Sequence, residues 1–288
     1  MTTEVVAHLK PQSDGRYLDC TVGAGGHTRA LLEAGAGQVL GLDRDSEVLP
    51  VARTALASWS DHVELVHADF RDFDQVLDDR GIATVDGAVA DLGLSSIQLE
   101  AEGRGFSFRR DEPLDMRMDR SQGPTAADLL RDVPEGALAD LIFQYGEERY
   151  SRRIARAIVQ KRQTDALETT AQLAALVRRV VPRRTHHRID PATRTFQALR
   201  ISVNTELDRL DLFLRAVCQR LRTGGRLAVI AFHSLEDRIV KTVFRELDKG
   251  GDIPIRILTK RPDRPTPAEV ARNTRSRSAK LRAAERLA

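Results

Sequence analysis

Up to Ala90 the hydrophobic positions come in short runs, with amphipathic segments between them. Tyr17–Val22, Val39–Leu42, Val63–His67 and Val85–Ala90 read as buried strands, and His27–Glu33 and Glu47–Ala57 read as helices. Short apolar runs alternating with helical periodicity are the pattern of strands covered on both faces by crossover helices. The βαβαβ order therefore predicts an α/β fold with a doubly wound, mostly parallel sheet. The rhythm then stops. Thr125–Leu130, Gly136–Tyr145, Arg152–Lys161 and Leu173–Val181 are helical patterns bounded by Pro113, Gly123-Pro124, Pro134 and Pro182. This reads as a helical insertion, residues 106–204, within a core formed by residues 1–105 and 205–288.

The α/β pattern then resumes. Glu206–Leu221 is read as a helix ended by Gly224-Gly225, Arg226–Phe232 as a strand, Leu235–Asp248 as a helix and Ile253–Leu258 as a sixth strand. Ser276–Arg286 suits a helix by composition and a seventh strand equally well.

Composition narrows the class. A chain of 288 residues, 41% hydrophobic, can bury one large core without disulfides. Its two cysteines, Cys20 and Cys218, are too few for a disulfide framework or a cysteine zinc site, and no metal site is expected from ligand spacing. They fit a reducing compartment. No apolar run is long enough for a membrane span, and the first residues lack signal-peptide features, so a cytoplasmic protein is expected. The net charge is only +3, yet basic residues concentrate after Arg149 and dominate Lys260–Arg286. That distribution suits phosphate backbones, and solvated helix faces would give it equally well.

The first candidate chemistry follows the first strand, in Asp19-Cys20-Thr21-Val22-Gly23-Ala24-Gly25-Gly26-His27. Glycines at a strand-to-helix turn let a ligand approach the backbone, and the helix start offers unpaired N–H donors. Thr28 stands where a dinucleotide motif needs its third glycine, which disfavours a pyrophosphate site. A carboxylate at Asp19 would repel pyrophosphate and attract a cationic amino group such as that of S-adenosylmethionine. Asp43 ends the second strand, where a carboxylate accepts from ribose hydroxyls. Asp69 and Phe70, after the third strand, are candidates for the adenine amino group and ring, although an ordinary strand end and core aromatic would look the same.

The fourth strand delivers Asp91-Leu92-Gly93-Leu94-Ser95-Ser96-Ile97-Gln98-Leu99. Ligands in open α/β sheets sit at the carboxyl ends of strands, so Asp91 is expected in the same crevice, with Gln98 reaching back toward it.

Here the chain resembles the RsmH (MraW) family, which methylates the exocyclic N4 of a cytosine in 16S ribosomal RNA of the small subunit. The resemblance runs almost end to end. It includes the Gly-rich turn through His27, Asp91–Leu99, Arg104-Gly105-Phe106-Ser107-Phe108, Pro113–Asp119, Tyr145-Gly146-Glu147-Glu148, Ser151–Ala155, Pro191–Arg200 and Phe232–Arg238. It implies a Rossmann-like class I methyltransferase with an inserted helical domain, using S-adenosylmethionine. The family's cofactor contacts fall on Gly25, Gly26, His27, Asp43, Phe70, Asp91 and Gln98, beside the Asp19, Gly23 and Asp69 read from the pattern. Asp190 and Thr274 depart from the family, where many members carry histidine and proline; Asp190 leaves a substrate contact in doubt.

The expected catalytic residues are Asp91, as acceptor for the reacting amino group, and His233, at the end of the fifth strand, touching the base or taking its proton. His27 is read as a pocket residue, and no covalent cysteine is needed. Arg152, Arg153, Arg194 and Arg200 are the expected RNA contacts, with Arg156, Lys161, Arg162, Arg183, Arg184 and Arg188 on the same wall. The partner is 16S ribosomal RNA or the small subunit, and the resemblance allows a homodimer. A DNA amino-methyltransferase is disfavoured because Leu92-Gly93 replaces the proline pair such enzymes carry. A non-catalytic assembly factor with a relic cofactor fold is disfavoured by the intact acids and glycines.

Overall fold

Alternation along the strands decides how the sheet is buried. In the computed structural model, which describes residues 1–182, 190–250 and 252–288, Tyr17 and Val89 face one hydrophobic cluster while Leu18, Ala88 and Ala90 face another. Neighbouring side chains on a strand point to opposite faces, so each strand feeds two cores. The strands are β1 (Arg16–Asp19), β2 (Gln38–Asp43), β3 (Val63–His67), β4 (Val85–Asp91), β5 (Leu221–Ala231), β6 (Ile255–Ile257) and β7 (Lys280–Arg286). Among the described residues they form one sheet in the order β3-β2-β1-β4-β5-β7-β6. All pairings from β3 to β5 are parallel, and β7 runs antiparallel to both β5 and β6. This is the Rossmann-like class I methyltransferase arrangement. The chain reverses its winding between β1 and β4, the place where such sheets bind ligands.

By its contacts the chain divides into two compact units, residues 1–95 with 207–288, and residues 96–206. The first holds the sheet. The helices Phe73–Asp78, Leu210–Arg220 and Ser234–Asp248 bury Phe73, Phe213, Val217, Val240 and Phe244 in one cluster. The helices Thr2–Leu9 and Gly26–Glu33 bury Val5, Leu9, Leu31 and Leu32 in the other.

The second unit is helical: Ser96–Glu100, Ala126–Asp132, Glu135–Gly146, Ser151–Arg162, Thr170–Val180 and Ala192–Asn204. Its core is built from Leu130, Leu138, Ile142, Ile154, Ile158, Leu173, Val177, Phe196 and Leu199. Capping boxes at Thr125/Asp128 and Thr169/Gln172 fix two helix starts by satisfying backbone N–H groups that no helix bond can reach. Buried Asn204 bonds the Met116 carbonyl and the Met118 amide, and fully buried Arg104 donates to the Arg117 and Met118 carbonyls. Together they hold a strandless loop in place.

One sequence reading is corrected here and one left open is settled. Gly224-Gly225 does not end a helix: the helix stops at Arg220, and Leu221 already pairs with Val85 in β5. The glycines lie where the pairing slides from Val85↔Leu221 to Gly87↔Arg226, and Gly224 takes φ +80° there, which a bulge requires and a β-carbon resists. The undecided Ser276–Arg286 is a short 3₁₀ turn at Thr274–Ser278 followed by strand β7. The helices Thr2–Leu9, Ala192–Asn204 and Pro267–Arg272 were not read from the sequence.

Candidate active site at the carboxyl end of the sheet

Three acids close adjacent parallel strands. In register, Asp19 of β1 lies beside Gly41 of β2 and Val89 of β4, so Asp19, Asp43 and Asp91 end neighbouring strands at the same edge. The Gly-rich turn leaves β1 at this edge. Its Gly25 N–H bonds the Val22 carbonyl, and Gly25 adopts φ +83° as N-cap of the helix Gly26–Glu33. A β-carbon on Gly25 would sit 3.1 Å from Leu56, whereas one on Gly26 would project into open space.

The acids do different work. Asp19 is fully buried; it accepts from the Thr28 hydroxyl at 2.7 Å and from the Thr21 amide at 3.1 Å. Burial pushes its carboxyl up, only partly opposed by the positive field of His27 and by these two hydrogen bonds. Asp43 accepts from Gly23 N–H at 2.8 Å and Asp45 N–H at 2.9 Å, tying the turn to β2. Burial raises it to about 6, against the two amides. Asp69 gives both oxygens to the Arg71 guanidinium, each at 2.8 Å, with Arg44 nearby at 3.6 Å. Burial disfavours its charge, but Arg71 outweighs that and holds the carboxyl below its ordinary value. Its negative charge is thus compensated within the fold.

Asp91 is joined to this group from two sides. Its backbone N–H donates to the Thr21 hydroxyl at 2.7 Å, and its Oδ2 lies 3.3 Å from His27 Nε2. The remaining atoms, Asp91 Oδ1 and His27 Nδ1, are buried with no partner among the described residues. Burial pulls the imidazole down, yet the hydrogen bond and charge of Asp91, helped by Asp19, leave it above its ordinary value. Read from the sequence, Thr21 has no role and Thr28 is only the residue that displaces a third glycine. The two threonines connect Asp19 to the turn and Asp91 to β1.

Other expected residues are placed as follows. Gly23 has φ +53° within the turn. Phe70 packs edge-on against Phe213, with centroids 4.6 Å apart. Gln98 is buried on the short helix Ser96–Glu100, in the helical unit. His233 does stand just beyond β5, but it caps the next helix: its Nδ1 accepts from Glu236 N–H, and its Nε2 lies 3.2 Å from Glu236 Oε1. Cys20 and Cys218 are buried thiols whose pKa burial raises, Cys218 to about 12, which makes them poor nucleophiles.

In the helical unit Arg152, Arg153, Arg149, Tyr150, Asp140 and the exposed Phe143 line a surface pocket of about 350 Å³. Arg149 lies over the Tyr150 ring at 4.6 Å. Arg194, half-exposed, reaches the Glu147 carbonyl at 3.2 Å. Arg200 differs, because Glu206 holds its guanidinium through two 2.8 Å hydrogen bonds. Arg183, Arg184 and Arg188 lie outside the described residues.

The whole chain also matches known sequences. Residues 1–287 fit the profile of the MraW methylase family. The chain belongs to that family. A ribosomal RNA small subunit methyltransferase H from Trichlorobacter lovleyi is 49% identical, over 100% of this chain and 97% of its own length. One from Sorangium cellulosum is 51% identical, over 99% and 89% respectively. Among solved structures, an rRNA methylase from Streptococcus thermophilus covers 100% of this chain and 94% of its own, at 12% identity and a TM-score of 0.44. Among the described residues, the edge that carries Asp19, Asp43 and Asp91 brings acceptors, open backbone and the partnerless atoms Asp91 Oδ1 and His27 Nδ1 together.

Proposed function

We propose that this methylase transfers a methyl group from S-adenosylmethionine to the exocyclic N4 of a cytosine in 16S ribosomal RNA, in the decoding region of the small subunit. The observation that carries the reading is Asp91 Oδ1, a buried carboxylate oxygen without a partner among the described residues, beside a glycine turn with open space above Gly26. The relatives named above act on small-subunit ribosomal RNA by their names, and the chain shares about half its residues with them.

The residues fit a nucleoside donor with a cationic centre. Such a donor supplies a strongly activated methyl group. The turn Gly23–Gly26 admits its backbone-hugging part, Asp43 offers remaining lone pairs to ribose hydroxyls, and the acids Asp19 and Asp91 make the crevice attractive to positive charge. Phe70 borders the adenine position, with Asp69 as a further acceptor.

The amino nitrogen of cytosine is a poor nucleophile, because its lone pair is delocalised into the ring. The chain's contribution is orientation and an acceptor for the amino hydrogens as the nitrogen becomes positive. Asp91 Oδ1 is that acceptor, while His27 occupies Oδ2 and fixes the carboxylate's rotation. His233 borders the same edge as the second catalytic candidate. Arg152, Arg153 and Arg194 hold phosphates on the helical unit, and Arg200 supports that surface through Glu206. The target base leaves its stack to be reached. The test is mass-spectrometric mapping of methylated cytosines in ribosomal RNA from cells with and without the protein. One N4-methylcytosine should vanish from the small subunit, and an unchanged map refutes the assignment.

A further inference from the structure

The basic C-terminal stretch is not uniform in the structure. Its last part is consumed internally: Lys280 and Arg282 share Asp237 at 2.9 and 2.7 Å, and Arg286 donates to the Leu221 carbonyl at 2.6 Å. The part before it, Lys260–Arg277, connects β6 to β7 and behaves otherwise. Lys260, Arg261, Arg264, Arg272 and Arg277 are all exposed, and none has a carboxylate partner among the described residues.

The local acids do not cancel this charge. The segment contains two, Asp263 and Glu269. Asp263 is bound to His8 Nε2 at 2.7 Å, and Glu269 to the amino group of Met1. Glu269 is mostly buried against the first helix, and Asp263, tied to His8, keeps a partly exposed carboxylate, so five exposed cations outnumber the one acid that solvent meets. The segment is also held in shape. Asp263 exchanges two backbone hydrogen bonds with Leu281 of β7, Thr266 caps the turn of helix at Pro267–Arg272, and Ser276 is buried and bonded to the Asn273 carbonyl. Pro262, Pro265 and Pro267 restrict the backbone further. A fixed strap loses little conformational entropy when it binds.

We propose that the Lys260–Arg277 strap is a second RNA-contact surface, outside the methyl-transfer crevice, which grips a phosphodiester backbone without reading bases. The proposal rests on the ribosomal RNA reading above. Arginine-rich charge selects a polyanion, and the absence of any Phe, Tyr or Trp in the strap removes the stacking platform that base contact would need. The strap would anchor a neighbouring stretch of RNA while the crevice works on one base.

The experiment measures affinity for a short unstructured RNA oligonucleotide across a salt series, with the full-length protein. The variant replaces Lys260, Arg261, Arg264, Arg272 and Arg277 by Gln. Each lost phosphate contact lowers the slope of log affinity against log salt by about 0.7, so losing all five lowers it by about 3.5. Binding of S-adenosylhomocysteine, followed by calorimetry, should be unchanged and reports an intact fold. A control with Arg53→Gln and Lys249→Gln should keep the wild-type slope. An unaltered slope in the strap variant refutes the strap alone. Wild-type protein that binds S-adenosylhomocysteine but no RNA refutes the strap together with the RNA reading. A control that loses slope equally per charge refutes the strap in favour of net charge. Strap-dependent binding of polyglutamate as tight as that of RNA refutes it in favour of an acidic protein partner.

Discussion

Thr28→Val removes one oxygen from the most deeply buried part of the site. Thr28 and Asp19 are both fully inaccessible, and the hydroxyl donates to Asp19 Oδ2 at 2.7 Å. Valine keeps the shape, so no cavity opens and the loss is the hydrogen bond alone. A bond to an ionised group contributes about 1.5–3 kcal/mol, and one between neutral groups about 0.5–1.5 kcal/mol. The Asp19 carboxyl is already above its ordinary value because it is buried, and the Thr28 hydroxyl is one of the groups opposing that rise. Its removal raises the folded-state pKa further. A group raised on folding favours the native state below its unfolded pKa, and that contribution is lost as pH rises through the folded value. The deficit of the variant should therefore be small in acid and grow toward neutral pH. Urea unfolding followed by circular dichroism should give a loss of about 2 kcal/mol at neutral pH and about half that in mild acid. Equal losses at both pH values, or no loss at neutral pH, would refute the assignment of Thr28 as the donor that keeps Asp19 in the site.

Other substitutions separate chemistry from scaffolding. Asp91→Asn should unfold at nearly the wild-type urea concentration yet slow methyl transfer by about 10²–10⁴-fold in a radiolabel assay; near-normal turnover removes Asp91 from the reaction. Gly26→Val has open space for its side chain, so thermal stability should hold while calorimetric binding of S-adenosylhomocysteine is abolished; retained binding places the donor elsewhere. Arg200→Ala leaves Glu206 buried without its partner and should cost about 3–5 kcal/mol in denaturant unfolding. His233→Ala loses a helix cap and should cost about 1 kcal/mol. Restoration of stability by His233→Asp without restored methyl transfer would show that the histidine acts on substrate as well.

The sequence conveyed the sheet through its apolar runs, because strands buried on both faces cannot hide their composition. It brought Asp19, Asp43 and Asp91 to one sheet edge because each lies at the carboxyl end of a strand that pairs in parallel with its neighbour. What it withheld depends on partners distant in the chain. Thr21 meets Asp91 only after β1 and β4 pair, and Thr28 meets Asp19 only once the glycine turn folds the next helix back on β1; neither threonine carries a spacing that announces this. Lys280–Arg286 is rich in helix-forming Ala, Leu and Arg, but pairing with both β5 and β6 overrides that propensity. Gly224-Gly225 resembled a helix stop because bulge and stop ask for the same conformational freedom. The Arg200–Glu206 pair is invisible to helical spacing, since the chain turns back at Thr205 with φ +49°. His233 does sit three residues before Glu236, the spacing of a capping box, but with histidine in place of the usual serine or threonine.

The most direct test is a crystal structure of the protein with S-adenosylhomocysteine. The ligand should lie against Gly23–Gly26, with its ribose within hydrogen-bonding distance of Asp43 and its sulfur near Asp91. Density for the ligand away from the ends of β1, β2 and β4 would contradict this placement.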